Sequence, residues 1–502
     1  MFSNLKINQF LSLAIVQATA VFGLSAAQPN IVFILSDDHA YQSIGSYDSP
    51  FKDFNPTPEI DNLAEEGTLF TNSFVTNSIC APSRAAILTG KYSHMNGVRA
   101  WETFDGSQTT FPQLLQEAGY HTVLVGKWHL KSDPTGFDEW LILPGQGVYE
   151  DPTFYNDTNY KRPNELQTKG YCSDVITRMA EEHIKNRPAD KPLALFVHHK
   201  AAHTPFQWDP RDADWLENDT IPEPSTLRDT WEGRPGIAQA HNKVPNIEQL
   251  HAFLAQGLKG KDRRGKGNPA DRKLSPQERA TARYQFYIKA YLRCAKSIDR
   301  SVGEINQLLK DEKIDDNTVL IYMADQGFYL GEHGMSDKRW AYEQSFRTPL
   351  IIKFPKAKSG QRVDQFALNI DLAPTLLELA GVEIPADIQG SSLVPLLNGE
   401  QPSSWRERIY YRYYDDKGYR IPQHQAVRTD RYKLIYFPKE QRYELFDLEK
   451  DPTEMHNLAE NPEYSALMDK MKVNLKEVRE ELKEEDQDVY PSTRETGKKN
   501  QH

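Results

Sequence analysis

Four short stretches concentrate the residues whose types and spacing could do chemistry. Ser36-Asp37-Asp38-His39, Gly126-Lys127-Trp128-His129, His198-His199-Lys200-Ala201-Ala202-His203 and Ala324-Asp325-Gln326-Gly327 each follow directly on an apolar run. Asp37, Asp38 and Asp325, with the amide of Gln326, form an oxygen-rich set. Such a set suits a hard divalent cation, Ca²⁺ or Mg²⁺, whereas Zn²⁺ more often takes His and Cys. Lys127, His129 and His203 are cationic or protonatable, which suits them to clamping an anion and moving a proton. Taken singly, an Asp-Asp pair after a strand is more often a turn or helix cap. Four such stretches at four successive strand ends are not accounted for that way.

The chain has three cysteines, an odd number that leaves at least one thiol outside any disulfide. Cys172 and Cys294 lie in stretches that read as helical and half apolar, Tyr171 to Met179 and Tyr287 to Ile298. They read as small buried hydrophobes, a bond between them being the other reading. Cys80 differs, because it stands among Pro82, Ser83 and Arg84 just ahead of a helix-like run. A helix N-terminus and a neighbouring cation are the setting that activates a nucleophile.

The elements that must position these residues follow from the apolar pattern. Asn30 to Leu35, Thr122 to Val125, Leu193 to Val197, Val319 to Met323 and Leu350 to Phe354 read as strands buried on both faces. Helical patterns alternate with them, at Pro58 to Glu66, Phe111 to Ala118, Ser173 to Lys185, Ala282 to Leu309 and Leu372 to Ala380. This predicts an α/β fold, a large sheet flanked by helices, with ligands beyond the carboxyl ends of its strands.

The 502 residues admit about three domains, or one large and one small. With 38% hydrophobic and 26% charged residues, the chain is neither disordered nor fibrous. A net charge of −11 argues against a nucleic-acid partner, although a local basic site can still select an anionic group. Residues 1–27 read as a signal peptide: Lys6 is the n-region charge, Phe10 to Leu24 is mostly apolar, and Ser25-Ala26-Ala27 supplies the small residues for cleavage. The stretch is too short, and too interrupted by Gln17 and Thr19, for a membrane anchor. The expectation is an exported, periplasmic or secreted protein without stable membrane insertion.

Cys80-Ala81-Pro82-Ser83-Arg84, followed by Ala85-Ala86-Ile87-Leu88-Thr89-Gly90, resembles the signature of the type I, formylglycine-dependent sulfatases of the alkaline-phosphatase superfamily. Flanking blocks extend the likeness from Pro29 to about Glu460, among them Gly126-Lys127-Trp128-His129-Leu130, Asp325-Gln326-Gly327, Gly331-Glu332-His333-Gly334, Asp337-Lys338-Arg339 and Arg347-Thr348-Pro349-Leu350-Ile351. The chain is most similar to the branch acting on sulfated glycans, such as glycosaminoglycans with 6-sulfated glucosamine or algal ulvan. The resemblance implies that Cys80 is oxidised by a formylglycine-generating or sulfatase-maturating enzyme, and that the hydrated aldehyde attacks sulfur to give a covalent sulfo-enzyme. It implies Ca²⁺, with Mg²⁺ the alternative, held by Asp37, Asp38, Asp325, Gln326 and the modified residue 80. Arg84 would hold the gem-diol, Lys127 and Lys338 would clamp sulfate, His129 would take a gem-diol proton, and His203 would protonate the leaving alcohol. Among His198, His199 and His203 the choice stays open. Two rivals are a phosphonate monoester or phosphodiester hydrolase of the same superfamily, and a non-catalytic glycan-binding protein with Cys80 unmodified.

The expected organisation is a catalytic domain over 28–390, carrying a charged insertion at 205–277, then a C-terminal subdomain over 391–490 and a loose tail at 491–502. The insertion, with Lys259, Lys261, Arg263, Arg264, Lys266, Arg272 and Lys273, reads as a solvated, flexible segment, or else as a basic loop that meets further acidic groups of a polysaccharide. The subdomain reads as a small antiparallel sheet, rich in Tyr, plus a helix from Glu463 to Leu482. There Arg408, Tyr411, Tyr413, His424 and Arg428 are either core or sugar contacts.

Overall fold

Strands covered on both faces need apolar side chains at every position, and Asn30–Ser36 shows how the two faces divide. Val32 and Ile34 enter one core with Val123, Val125, Leu195, Val197 and Leu320. Ile31, Phe33 and Leu35 enter the other with Leu124, Phe196, Ile321 and Met323. The structure is a computed structural model that describes residues 28–156, 164–237, 274–415, 421–484 and 489–491.

Ten strands form the main sheet, in the order Gln361–Val363, Thr68–Phe70, Leu350–Lys353, Thr318–Ala324, Asn30–Ser36, Leu193–His198, His121–Lys127, Glu139–Leu143, Thr153–Asn156 and Asn164–Gln167. The five strands from Thr318–Ala324 to Glu139–Leu143 run parallel, so their carboxyl ends share one edge. Leu350–Lys353, Thr153–Asn156 and Asn164–Gln167 are antiparallel to their neighbours, which makes the sheet mixed.

The helices Cys172–Lys185 and Pro276–Asp311 cover one face, and Cys80–Thr89, Phe111–Glu117 and Leu372–Leu379 the other. The long helix starts ahead of the expected Ala282, because Ser275 caps it and exchanges hydrogen bonds with Glu278, the N-terminal pattern of a capping box. Cys172 and Cys294, on the two helices of one face, are both free and buried, so the disulfide reading is set aside. No helix among the described residues is long and apolar enough to cross a membrane.

The described part of the insertion, 205–237, is packed, which corrects the expectation of a solvated segment there. Phe206, Leu216, Ile221 and Leu227 belong to the core beneath the long helix, and the Tyr284 hydroxyl donates to Pro222 O at 2.7 Å. The basic residues Lys259 to Lys273 lie outside the described residues, as do the signal region 1–27 and most of the tail.

Arg408–Tyr413, His424–Thr429, Tyr432–Phe437 and Arg442–Asp447 form an antiparallel meander. The helix Ser465–Glu481 covers it through Met468, Met471, Leu475 and Val478. The same core takes in Phe74, Trp340, Tyr342 and Phe346, which ties the small sheet to loops leaving the large one. Three of its polar residues turn inward to structural partners, Tyr411 donating to Arg339 O at 2.8 Å, His424 stacking on Trp340 and Arg428 pairing with Glu343, whereas Arg408 is half-buried and pairs with Glu477 at the surface; Tyr413, like the first three, is buried. For the four buried residues the core reading holds.

Candidate active site

Four adjacent parallel strands deliver the candidate residues to one place. Backbone ties fix the strand ends: Asp325 N–H donates to Ser36 O at 3.0 Å, His199 N–H to Leu35 O at 2.8 Å, and Asp37 N–H to Ala201 O at 2.9 Å. Asp38 and His129 then adopt left-handed backbone, with φ of 61° and 59°, where the chain turns off the sheet. Gly126 is required by close approach, since a Cβ there would stand 1.9 Å from His198 O.

Cys80 is the first residue of its helix and is 2% exposed. Its thiol donates to Asp37 Oδ1 at 3.4 Å and receives Lys338 Nζ at 3.2 Å. One turn on, Arg84 points back beneath it: Nε donates to Asp325 Oδ2 at 3.0 Å and Nη1 to Lys127 O at 2.8 Å. Lys127 pairs with Asp37, and Lys338 with Asp38. Gln326 Nε2 bonds Asp38 Oδ1, which leaves Gln326 Oε1 buried without a hydrogen-bond partner.

The three histidines after Leu193–His198 separate by direction. His199 turns away to Ser301 Oγ at 2.9 Å, and His198 packs behind Arg84, with Nδ1 3.2 Å from Lys127 O. His203 alone of the three comes to the carboxylates, with Nε2 3.9 Å from Asp38 Oδ2, held from behind by Thr204 O at 2.7 Å from Nδ1. His129 stands beyond Lys127, where Nε2 accepts from the Gln146 amide at 3.0 Å. His333 is used elsewhere, bonded to Asp229 at 2.8 Å.

Each buried carboxylate has a cation against it, Asp37 with Lys127, Asp38 with Lys338 and Asp325 with Arg84, but crowding keeps the three from ionising alike. Burial raises Asp38, and the neighbouring Asp37 and Asp325 add to it against Lys338, so its carboxyl is pushed up to about 7. Burial and Asp37 likewise raise Asp325. Burial opposes ionisation of Asp37 too, but Lys127, Lys338 and Arg84 outweigh it and hold that carboxyl well below the usual range. Burial, aided by Asp37, pushes the Cys80 thiol up to about 12. Burial thus disfavours the thiolate even though a helix N-terminus and the cations Lys127 and Lys338 stand beside it. Burial opposes the charge on Lys338, but Asp38 and Cys80 keep its proton bound, whereas burial drives His203 and His129 well below their ordinary value and leaves them neutral.

A hard cation fits this donor set. Oxygen atoms of Asp37, Asp38 and Asp325 lie within 4.8 Å of one another, and the unpartnered Gln326 Oε1 supplies a fourth oxygen. All four donors are the oxygen type such ions prefer. Sequence reasoning missed Gln146, Ser83 and Asn369. Gln146 follows the short strand Glu139–Leu143, whose signal was the Pro144-Gly145 turn after an apolar run. Ser83 Oγ bonds Asp325 O and accepts Asn369 Nδ2 at 2.9 Å, which anchors the helix of Cys80 to the strand end.

The sequence matches the sulfatase family over residues 29–382 and the N-sulphoglucosamine sulphohydrolase C-terminal family over 331–481. The chain belongs to the sulfatases, hydrolases of sulfuric esters. It is 37% identical to an N-acetylglucosamine-6-O-sulfatase of Bacteroides thetaiotaomicron, over 92% of this chain and 88% of that one. A solved structure holding its substrate D-glucosamine-2-N,6-O-disulfate superposes with a TM-score of 0.84 at 36% identity, over 92% of this chain and 99% of that one. A phosphonate monoester hydrolase from Silicibacter pomeroyi shares the fold, with a TM-score of 0.69 at 22% identity over 90% and 96% of the two chains.

Proposed function

We propose that this sulfatase is exported, carries formylglycine at position 80, and removes sulfate from a 6-O-sulfated glucosamine unit of a glycan. The observation that carries the mechanism is the meeting of Cys80 with three buried carboxylates and three cations, Arg84, Lys127 and Lys338. The substrate class rests on the names of the relative and the bound sugar above. A cleft of about 820 Å³, lined by His129, Gln146, Val148, Thr153 and Tyr155, opens beside the site and offers a place for the sugar.

A buried thiol raised to about 12 is a poor nucleophile at neutral pH, and this supports the need for a different group at position 80. As a gem-diol, residue 80 would offer one hydroxyl to sulfur and keep the second for release of sulfate. Asp37, Asp38, Asp325 and Gln326 would hold Ca²⁺ or Mg²⁺, whose chemistry is to bind sulfate oxygens and favour the ionised hydroxyl. Lys127 and Lys338 would donate to sulfate oxygens as negative charge moves toward the leaving oxygen. His203, neutral at rest, would gain its proton when the anionic ester enters and pass it to the alcohol as the S–O bond breaks. His129, neutral with Nε2 toward Gln146, would take the proton of the second hydroxyl as the C–O bond to sulfate breaks, which restores the aldehyde.

Mass spectrometry of the peptide containing position 80, from protein exported by a host able to modify it, tests this reading. Formylglycine, about 18 Da below cysteine, together with sulfate release from 6-O-sulfated glucosamine oligosaccharides, is the expected result. An unmodified thiol in that host would remove the nucleophile. Faster turnover of an aryl phosphodiester than of the matched aryl sulfate would replace the sulfate assignment.

A further inference from the structure

The sheet has a second cluster of ligand-type side chains, at the edge opposite Asp37. His121 opens the strand that ends in Lys127, Glu139 opens the next strand, and His183 sits in the last turn of the helix Cys172–Lys185 that packs over them. One ligand atom of each lies within 4.8 Å of the others. At about 3.3 Å per residue, His121 begins about 20 Å from the strand end at Lys127, so this cluster is separate from the sulfate chemistry.

From these three side chains we propose a Zn²⁺ site, in which His121 Nε2, a Glu139 carboxylate oxygen and a His183 nitrogen bind one ion and solvent completes a tetrahedron. Two imidazoles and one carboxylate are a borderline donor set that suits zinc, unlike the all-oxygen set around Asp37. Two ligands at about 2.0–2.1 Å from a tetrahedral ion stand about 3.3 Å apart, and His121 Nε2 to Glu139 Oε1 is 3.3 Å.

The other ring nitrogen of His121 faces a carboxylate, the kind of group that orients a metal-binding histidine. Nδ1 faces Asp138 Oδ2 at 3.6 Å, and Asp138 is itself fixed by Thr122 N–H and Gln116 Nε2, both at 2.8 Å. A proton on Nδ1 directed at Asp138 leaves the Nε2 lone pair toward Glu139. The last turn of a helix also favours a cation, and among the described residues Glu139 has no Lys or Arg ion-pair partner that would compete. The ion would pin the helix Cys172–Lys185 to the amino-terminal edge of two strands.

Titration of the full-length protein, loaded with Ca²⁺, with ZnCl₂ by calorimetry and with Co²⁺ by absorption tests the site. Wild type is expected to bind one equivalent that His183→Ala lacks, with affinity lowered at least about a hundredfold, while Asp138→Asn costs about tenfold. Zn²⁺ should raise the Tm of wild type and leave that of His183→Ala unchanged. Sulfate release should be the same in both, which keeps the result independent of the reading at Cys80. His183→Gln repeats the measurement should the alanine variant lose its helix. Equal Zn²⁺ affinity in wild type and both His183 variants, or a weak octahedral Co²⁺ spectrum, would overturn the proposal.

Discussion

Two regions of this protein bury charge at comparable depth and use it in opposite ways. Where the small sheet meets the large one, Glu343 pairs with Arg428 and Lys433, Lys433 with Glu454, and Arg412 with Glu484. Glu444 accepts from Tyr342 and from Gly236 N–H, each at 2.8 Å. Each charge there has a partner from the chain itself. At the strand ends three carboxylates crowd together and an amide oxygen is left over. Buried charge alone therefore does not mark a site. Carboxylates crowded against one another, with an acceptor that the chain does not satisfy, do so because they cost folding energy that a ligand offsets.

The largest effect should come from removing the nucleophile. Cys80→Ala is expected to lower the rate of sulfate release by about 10⁵-fold while the protein stays folded, read from single-turnover kinetics and a melt. Next, His203→Ala should lower kcat by about 10³-fold on a sugar sulfate, and much less on an aryl sulfate whose leaving group needs no proton. An equal loss on both esters would move His203 from acid to positioning. In the paired region the sign of the outcome changes. Glu343→Gln should cost about 3 kcal/mol in denaturant unfolding with KM unchanged, because it strands Arg428 in the interior and leaves Lys433 to Glu454 alone; a change in KM without loss of stability would make that region part of the site.

The smallest effect is a pH slope. Burial pushes Glu444 up to about 7 from an unfolded value near 4.5. A carboxyl raised in the folded state binds its proton more tightly there, so its stabilising contribution is complete below the unfolded value and is lost as pH climbs to about 7. Glu444→Gln should flatten that decline by about 2–3 kcal/mol between pH 4.5 and 7, as seen in urea midpoints. An unchanged slope would assign the decline to other groups.

The central strands were legible because a strand buried on both faces reads as an unbroken apolar run, as Val319 to Met323 does. The residues after those runs were legible for the same reason, and they converge in the structure. Thr68–Phe70 and Gln361–Val363 were not, being three residues each and paired across almost three hundred positions. Gln146 was hidden because its strand begins with Glu139 and Trp140, which blur the run before Leu143. The Tyr and Arg residues of the small sheet carried either reading until packing decided, since an aromatic ring suits a core and a sugar face equally.

The helix that begins at Cys80 is buried along its whole length, Cys80 to Thr89, with Ser83 and Asn369 locking it to the end of another strand. Position 80 is closed off in the folded chain, so an enzyme that modifies it would have to act before the sheet closes. The oxidation proposed for residue 80 thus belongs to the interval between synthesis and folding. If residue 80 is oxidised as proposed, molecules that fold first would stay unmodified, and the active fraction of a preparation would count those reached in time.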